Sequence, residues 1–287
     1  MVYMNPAGVS GTNKTDLLFS RTNWLQGTDI YINSFGVAQR FNDKSVIALS
    51  LMSFNLGDIE ITTESNPEGG IGTYRPKFIN GGISYGRRFS NNIDGGLTLK
   101  LISEGIHDVS SFGLALDAGV KYVTGENDNV SFGVALKNAG PNMRYNGNGL
   151  KMEFPFPNGN VQSGQVSAAA FTLPLLMNLG FGYRFEFNQK HNLQTGFTYS
   201  ARMFLNDQTR FGLEYRYKKY FQLRGGFVYE EGIFRLSTRR TAITGPSGGF
   251  SLQLPYGKSG QYFGFDYTYR DTNPFEGIHT LGARIIL

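Results

Sequence analysis

Apolar residues alternate one by one with small or polar residues along most of this chain. Leu97, Leu99 and Leu101 interleave with Gly96, Thr98 and Lys100. Phe112, Leu114, Leu116, Ala118, Val120 and Tyr122 interleave with Gly113, Ala115, Asp117, Gly119 and Lys121. The same period of two runs through 130–137, 179–185, 211–217, 263–270 and 281–287. Successive side chains in a β-strand point to opposite faces, so each run reads as a strand with one apolar side. Strands are predicted over 15–22, 28–41, 44–55, 77–89, 93–103, 110–123, 128–138, 174–187, 191–203, 208–218, 220–230, 248–255, 260–270 and 278–287, fourteen in all. The segment 57–63 is ambiguous. Short connections at 88–92, 125–129 and 188–191 carry the Asn, Asp and Gly of hairpin turns. Connections 56–76, 139–173 and 231–247 are long. No amphipathic helix exceeds two turns, and no internal sequence repeat is present.

A strand with one apolar face can put that face inside a barrel or outside it, against lipid. Charged residues make up 17% of the chain, against roughly 25% in soluble domains. The non-apolar face is mostly Gly, Ser, Ala and Thr with isolated charges, which suits a crowded lumen better than a wetted exterior. Tyr122, Tyr199, Tyr217, Tyr229 and Tyr269 sit near strand ends, as interfacial aromatic girdles do. Most runs approach the ~9–11 tilted residues that cross a bilayer. The sequence also ends within a strand, at 284–287. These features point to an all-β chain: one transmembrane antiparallel β-barrel domain over 1–287.

Other classes are excluded. The 14% aromatic content and net charge of +5 argue against disorder. No run of about 18 apolar residues exists to form a membrane helix; the best, 168–185, is broken by Pro174, Asn178 and Arg184. Without Cys there are no disulfides or thiolate metal sites. Lys and Arg are scattered, so nucleic acid is not an expected partner.

Candidate sites are few. Gly257-Lys258-Ser259 lacks the upstream glycine of a phosphate loop, because Leu252 stands there. His107, His191 and His279 all fall in or next to turns, where solvated histidines are more common than catalytic ones, so no enzyme, metal site or cofactor is expected. Lys100, Asp117, Lys121, Lys137, Arg184, Glu214, Arg216, Arg224, Asp266, Arg270 and Arg284 fall on the lumen face. A cationic side chain on the lipid face costs roughly 2–4 kcal/mol at the midplane, so these should point inward, pairing across strands or lining a polar path. Met152, Phe154 and Phe156 form an apolar group in the loop 139–173. They would either fold over the barrel mouth or dock a partner.

Three stretches carry a family resemblance. One is Asn5-Pro6-Ala7-Gly8 followed by an aromatic strand and Trp24. The second runs from Gly95 to Gly140 and includes 100–104, 115–122 and 133–140. The third comprises 245–250, Leu254-Pro255, 265–270 and 279–282. In this order they resemble the PorV/PorQ family of Bacteroidota-type outer-membrane proteins, which is related to the FadL-type transporters of hydrophobic compounds. The resemblance implies a FadL-like outer-membrane barrel of about fourteen strands in a Gram-negative bacterium. It also implies type IX protein secretion, with secreted cargo proteins and translocon or attachment components as partners. The alternative is a FadL-like channel for small hydrophobic compounds, which would need an apolar pocket in the lumen. Family members carry a signal peptide and a lumen-plugging segment ahead of the Asn-Pro-Ala motif. With Met1 four residues before Asn5, both are expected to be missing.

Overall fold

The computed structural model describes residues 3–287 apart from Leu25, Asn158, Gly159, Leu236, 257–259, Asn273 and Pro274, and apart from the side chains of Glu153 and Pro155. The triplet Gly257-Lys258-Ser259 therefore lies outside the described residues.

Fourteen long strands follow one another: β1 Thr15–Asn23, β2 Tyr31–Asn42, β3 Ser45–Asn55, β4 Lys77–Arg88, β5 Ile93–Ile106, β6 Val109–Thr124 and β7 Val130–Ala139. The second half holds β8 Leu176–Asn188, β9 His191–Arg202, β10 Gln208–Tyr217, β11 Phe221–Glu230, β12 Gly245–Tyr256, β13 Gln261–Arg270 and β14 Ile278–Ile286. Each pairs antiparallel with its neighbours in sequence, and β14 returns to β1 with Phe19 opposite Ala283. The result is a closed up-and-down barrel without a free edge, the arrangement a bilayer requires of a sheet. The alternation places these strands within a few residues of where they form, since a period of two reports facing directly. The ambiguous segment contributes only Ile59–Glu60, paired with Thr73–Tyr74 outside the barrel.

The facing is inverted relative to a soluble protein. Leu97, Leu99 and Leu101 are 44–50% exposed, whereas the intervening Thr98 and Lys100 are 3% and 6% exposed. Phe132, Phe181, Phe197 and Phe211 form a cross-strand belt on the outside, with adjacent rings 5.3 Å apart in the pairs Phe132–Phe181 and Phe197–Phe211. Among the described residues, no helix is long and apolar enough to cross a membrane; the strands present the apolar surface. One end of the barrel carries the shorter turns, such as 43–44 and 189–190. The other carries the loops 56–76, 140–175 and 231–244.

Candidate functional site

The lumen is narrowed from both ends, on the same side. From the short-turn end, residues 3–12 run inside the barrel and include a 3-10 turn, Pro6–Gly11. Asn5 starts it, its Oδ1 accepting from the Ala7 N–H at 2.9 Å. The Asn5 amide also donates to the carbonyls of Val120 (3.1 Å) and Val134 (3.3 Å) on β6 and β7. The strands receive this segment through glycine. A Cβ at Gly96 would stand 2.4 Å from the Pro6 carbonyl, and one at Gly119 would stand 2.0 Å from Asn5 Oδ1. Val9 packs on Val46 and Ala48. Arg40 closes the far end of the segment, donating to the carbonyls of Ser10 (2.6 Å), Thr12 (2.8 Å) and Asn13 (2.9 Å). Lys137 donates to the Tyr3 carbonyl. Residues 3–12 thus fill part of the lumen.

From the long-loop end, the 140–175 connection folds back into the mouth. Met143 forms a two-bond bridge with Phe171 at 2.7 and 2.8 Å. Its side chain is 1% exposed and packs on Ile102, Ala115 and Leu173. Gly113 makes room, since a Cβ there would lie 2.4 Å from the Met143 sulfur. Tyr145 donates to Glu104 Oε2 at 2.7 Å. Burial, together with the adjacent Glu104 carboxylate, pushes the Tyr145 phenol up to about 12. Beyond this anchor the same loop rises as a ribbon, Lys151–Pro155 against Val161–Gln165. Met152, Phe154 and Phe156 are about half exposed there, at 47–52%.

Beside the segment 3–12 a cavity of about 930 Å³ remains. Its walls differ. Val9, Leu18, Ala38, Ala48 and Ile286 are interspersed with Asp16, Ser34, Ser50 and Arg284 on one side, while Gln194, Thr198, Glu214, Arg216 and Arg224 line the other. Gly182, Gly196, Gly212 and Gly226 follow one another across β8–β11 and leave the wall between them bare. The apolar pocket that a hydrophobic channel was expected to contain is thus replaced by one of mixed lining.

The charges singled out in the sequence separate into groups. Glu214 accepts from Arg216 and Arg224, each at 2.7 Å. Arg224 reaches Asp266 at 3.6 Å, and Asp266 accepts from Ser251. Lys121 and Arg284 line the cavity elsewhere. Lys100 and Asp117 form a separate buried pair at 2.7 Å, completed by Asn138, whose side-chain oxygen accepts from Lys100 at 2.6 Å and whose N–H donates to Asp117 at 2.8 Å. Asn138 sits at φ +64° beside a register shift between β6 and β7. Arg270 stands in register with Ser247 and Ile278, nearer the long loops. Arg184 lies on the same strand face as the cavity-lining Gly182, and its guanidinium donates to the Asn127 carbonyl at 2.8 Å, capping the 125–129 turn at the short-turn end.

The histidines also differ from simple solvated turn residues. His191 and His279 hold tyrosine hydroxyls through Nδ1, Tyr215 at 2.6 Å and Tyr267 at 2.9 Å. His107 faces Asp108 at 3.5 Å in the β5–β6 turn. Among the described residues, no three His, Cys, Asp or Glu gather where they could hold a metal ion. Sequence reasoning missed Arg40, the double role of Asn5, and the seats at Gly96 and Gly119.

No family model and no curated protein matches the sequence. Solved structures do match in fold. The toluene transporter TodX of Pseudomonas putida superposes with a TM-score of 0.57 at 12% identity, over 99% of this chain and 91% of that one. The toluene transporter TbuX of Ralstonia pickettii gives 0.57 at 11% identity, with 99% and 91% covered. A FadL homologue from Pseudomonas aeruginosa gives 0.55 at 12%, with 99% and 93% covered. The chain therefore has the fold of FadL-like outer-membrane barrels.

Proposed function

We propose that the protein is a passive outer-membrane channel for small hydrophobic compounds. The carrying observation is the cavity of about 930 Å³ left beside the inserted segment 3–12, in a fold shared along nearly its whole length with toluene transporters. Its size falls in the range of small-molecule pockets, roughly 300–1,000 Å³. Its mixed lining suits a small molecule that carries both apolar and polar groups. Gly196 and Gly212 face the cavity, and a Cβ at either meets nothing within 4 Å. Gly196→Phe and Gly212→Phe should therefore fill it without disturbing the wall. Cells bearing either variant should accumulate radiolabelled toluene or a short-chain aromatic alcohol several-fold more slowly than cells bearing the original protein. Equal rates for correctly assembled barrels would refute a route through this cavity.

A second reading has its own observation. The exposed apolar ribbon carrying Met152, Phe154 and Phe156 fits a cargo-docking element of the type IX pathway. Under that reading, replacing all three with Ser abolishes co-purification of secreted cargo proteins while leaving solute uptake unchanged. Cargo capture that survives the triple replacement would discard it.

A further inference from the structure

The outer face of β10–β13 carries a hollow that the lumen does not explain. Leu213, Gly225, Gly248 and Tyr269 form one cross-strand row, and Tyr215, Leu223, Phe250 and Tyr267 form the next. All eight positions face away from the lumen. The paired glycines leave a pocket of about 580 Å³ between the larger side chains. Nothing in the chain itself requires glycine at either place. A Cβ at Gly225 would meet nothing within 4 Å, and the nearest atom to one at Gly248 is the Arg224 carbonyl oxygen at 3.8 Å. Neither residue has a positive φ. Glycine inside a strand weakens it and often marks a place where something outside approaches closely; here two stand side by side. The walls are fixed in advance. His191 holds the Tyr215 hydroxyl, His279 holds that of Tyr267, and the Phe250 and Tyr267 rings lie 5.7 Å apart.

We propose that this hollow binds one acyl chain of a bilayer lipid, laid over Gly225 and Gly248. The position selects the occupant, because the hollow opens in the apolar belt, where acyl chains are the surrounding medium. The lining selects it as well: the hydroxyls of Tyr215 and Tyr267 already have partners, so the surface offered is carbon. A second copy whose two-fold axis passed through the hollow would set hollow against hollow and leave both unfilled.

The full chain is reconstituted in phosphatidylcholine vesicles containing a trace of the same lipid with a diazirine in one acyl chain, irradiated, and mapped by peptide mass spectrometry. Tyr215, Leu223, Phe250 and Tyr267 should be labelled several-fold above the exterior residues Leu99 and Phe132. Gly225→Leu and Gly248→Leu should each bring that labelling down to the level of the rest of the belt. Uniform labelling of the original protein overturns the proposal, and so does labelling that persists in both variants. Loss of labelling on addition of toluene also overturns it and assigns the hollow to a transported compound; cross-links between two copies at these residues assign it to self-association. Should a leucine variant fail to assemble, the pattern on the original protein still decides the matter.

Discussion

Asn5 meets three main-chain groups with a single amide: the N–H of Ala7 and the carbonyls of Val120 and Val134. One residue thereby fixes both the shape of the inserted segment and its place against β6 and β7. These bonds are exposed or part-buried, and a typical intramolecular hydrogen bond contributes about 0.5–1.5 kcal/mol net. Asn5→Ala should therefore loosen residues 3–12 without unfolding the barrel. Ionic conductance in planar bilayers should rise, and protease should reach the segment; an unchanged conductance would show that other contacts hold it. The Lys100–Asp117 pair is a different kind of residue-scale commitment, because both side chains are nearly inaccessible (8% and 1%). Breaking such a pair from one side costs about 3–5 kcal/mol. Lys100→Met and Asp117→Leu should each lower the denaturant midpoint clearly, and the double variant should lose less than the two single losses combined. Additive losses would mean that the charges do not depend on each other.

At the scale of elements, the strands were readable and the inserts were not. Each strand announces itself because lipid on one side and a crowded lumen on the other force opposite chemistries onto alternate residues. The 140–175 loop has no such constraint. Met143 reads as any loop methionine until Gly113 is seen to leave space for its sulfur. Gly96 and Gly119 likewise look the same in sequence as the inward Gly196 and Gly212, although the first two seat a segment and the second two face open space. These contacts join residues 30 to 114 positions apart, so no local pattern carries them. The exposed Met152–Phe156 group was legible as apolar but not as a ribbon. The loop anchor is testable through Tyr145. Its phenol is raised from the ordinary 10.0 to about 12 in the folded protein. A raised value means that the neutral form is favoured by folding. The anchor is therefore intact below pH 10 and is lost as the pH climbs toward about 12. Tyrosinate absorbance should show a late-titrating component, accompanied by faster proteolysis of the 140–175 loop, and Tyr145→Phe should diminish that component and abolish the pH-dependent proteolysis. Normal titration of every tyrosine would argue that the loop does not hold Glu104.

The whole molecule is organised by one inversion, with hydrocarbon outside and polar atoms within. That inversion explains why the chain is poor in charge yet keeps its arginines in the strands. It also explains why glycine is so abundant: the interior must admit two inserts and still leave a cavity. Consecutive residues at the same depth test it directly. Phe197 lies in the outer aromatic belt against Phe211, and Gly196 faces the cavity with nothing within 4 Å of its would-be Cβ. Phe197→Arg places a guanidinium in lipid, at a cost of roughly 2–4 kcal/mol near the midplane, with the loss of the ring contact added. Gly196→Arg places the same group in a polar, roomy lumen beside Glu214 and should leave stability nearly unchanged. Urea unfolding from lipid vesicles, followed by the slower gel migration of unfolded barrels, measures both. A soluble barrel of the same strand order would reverse the ranking, with arginine harmless at Phe197 and ruinous at Gly196. That reversed result would turn the molecule inside out, removing the lipid-facing hollow and the solute path together.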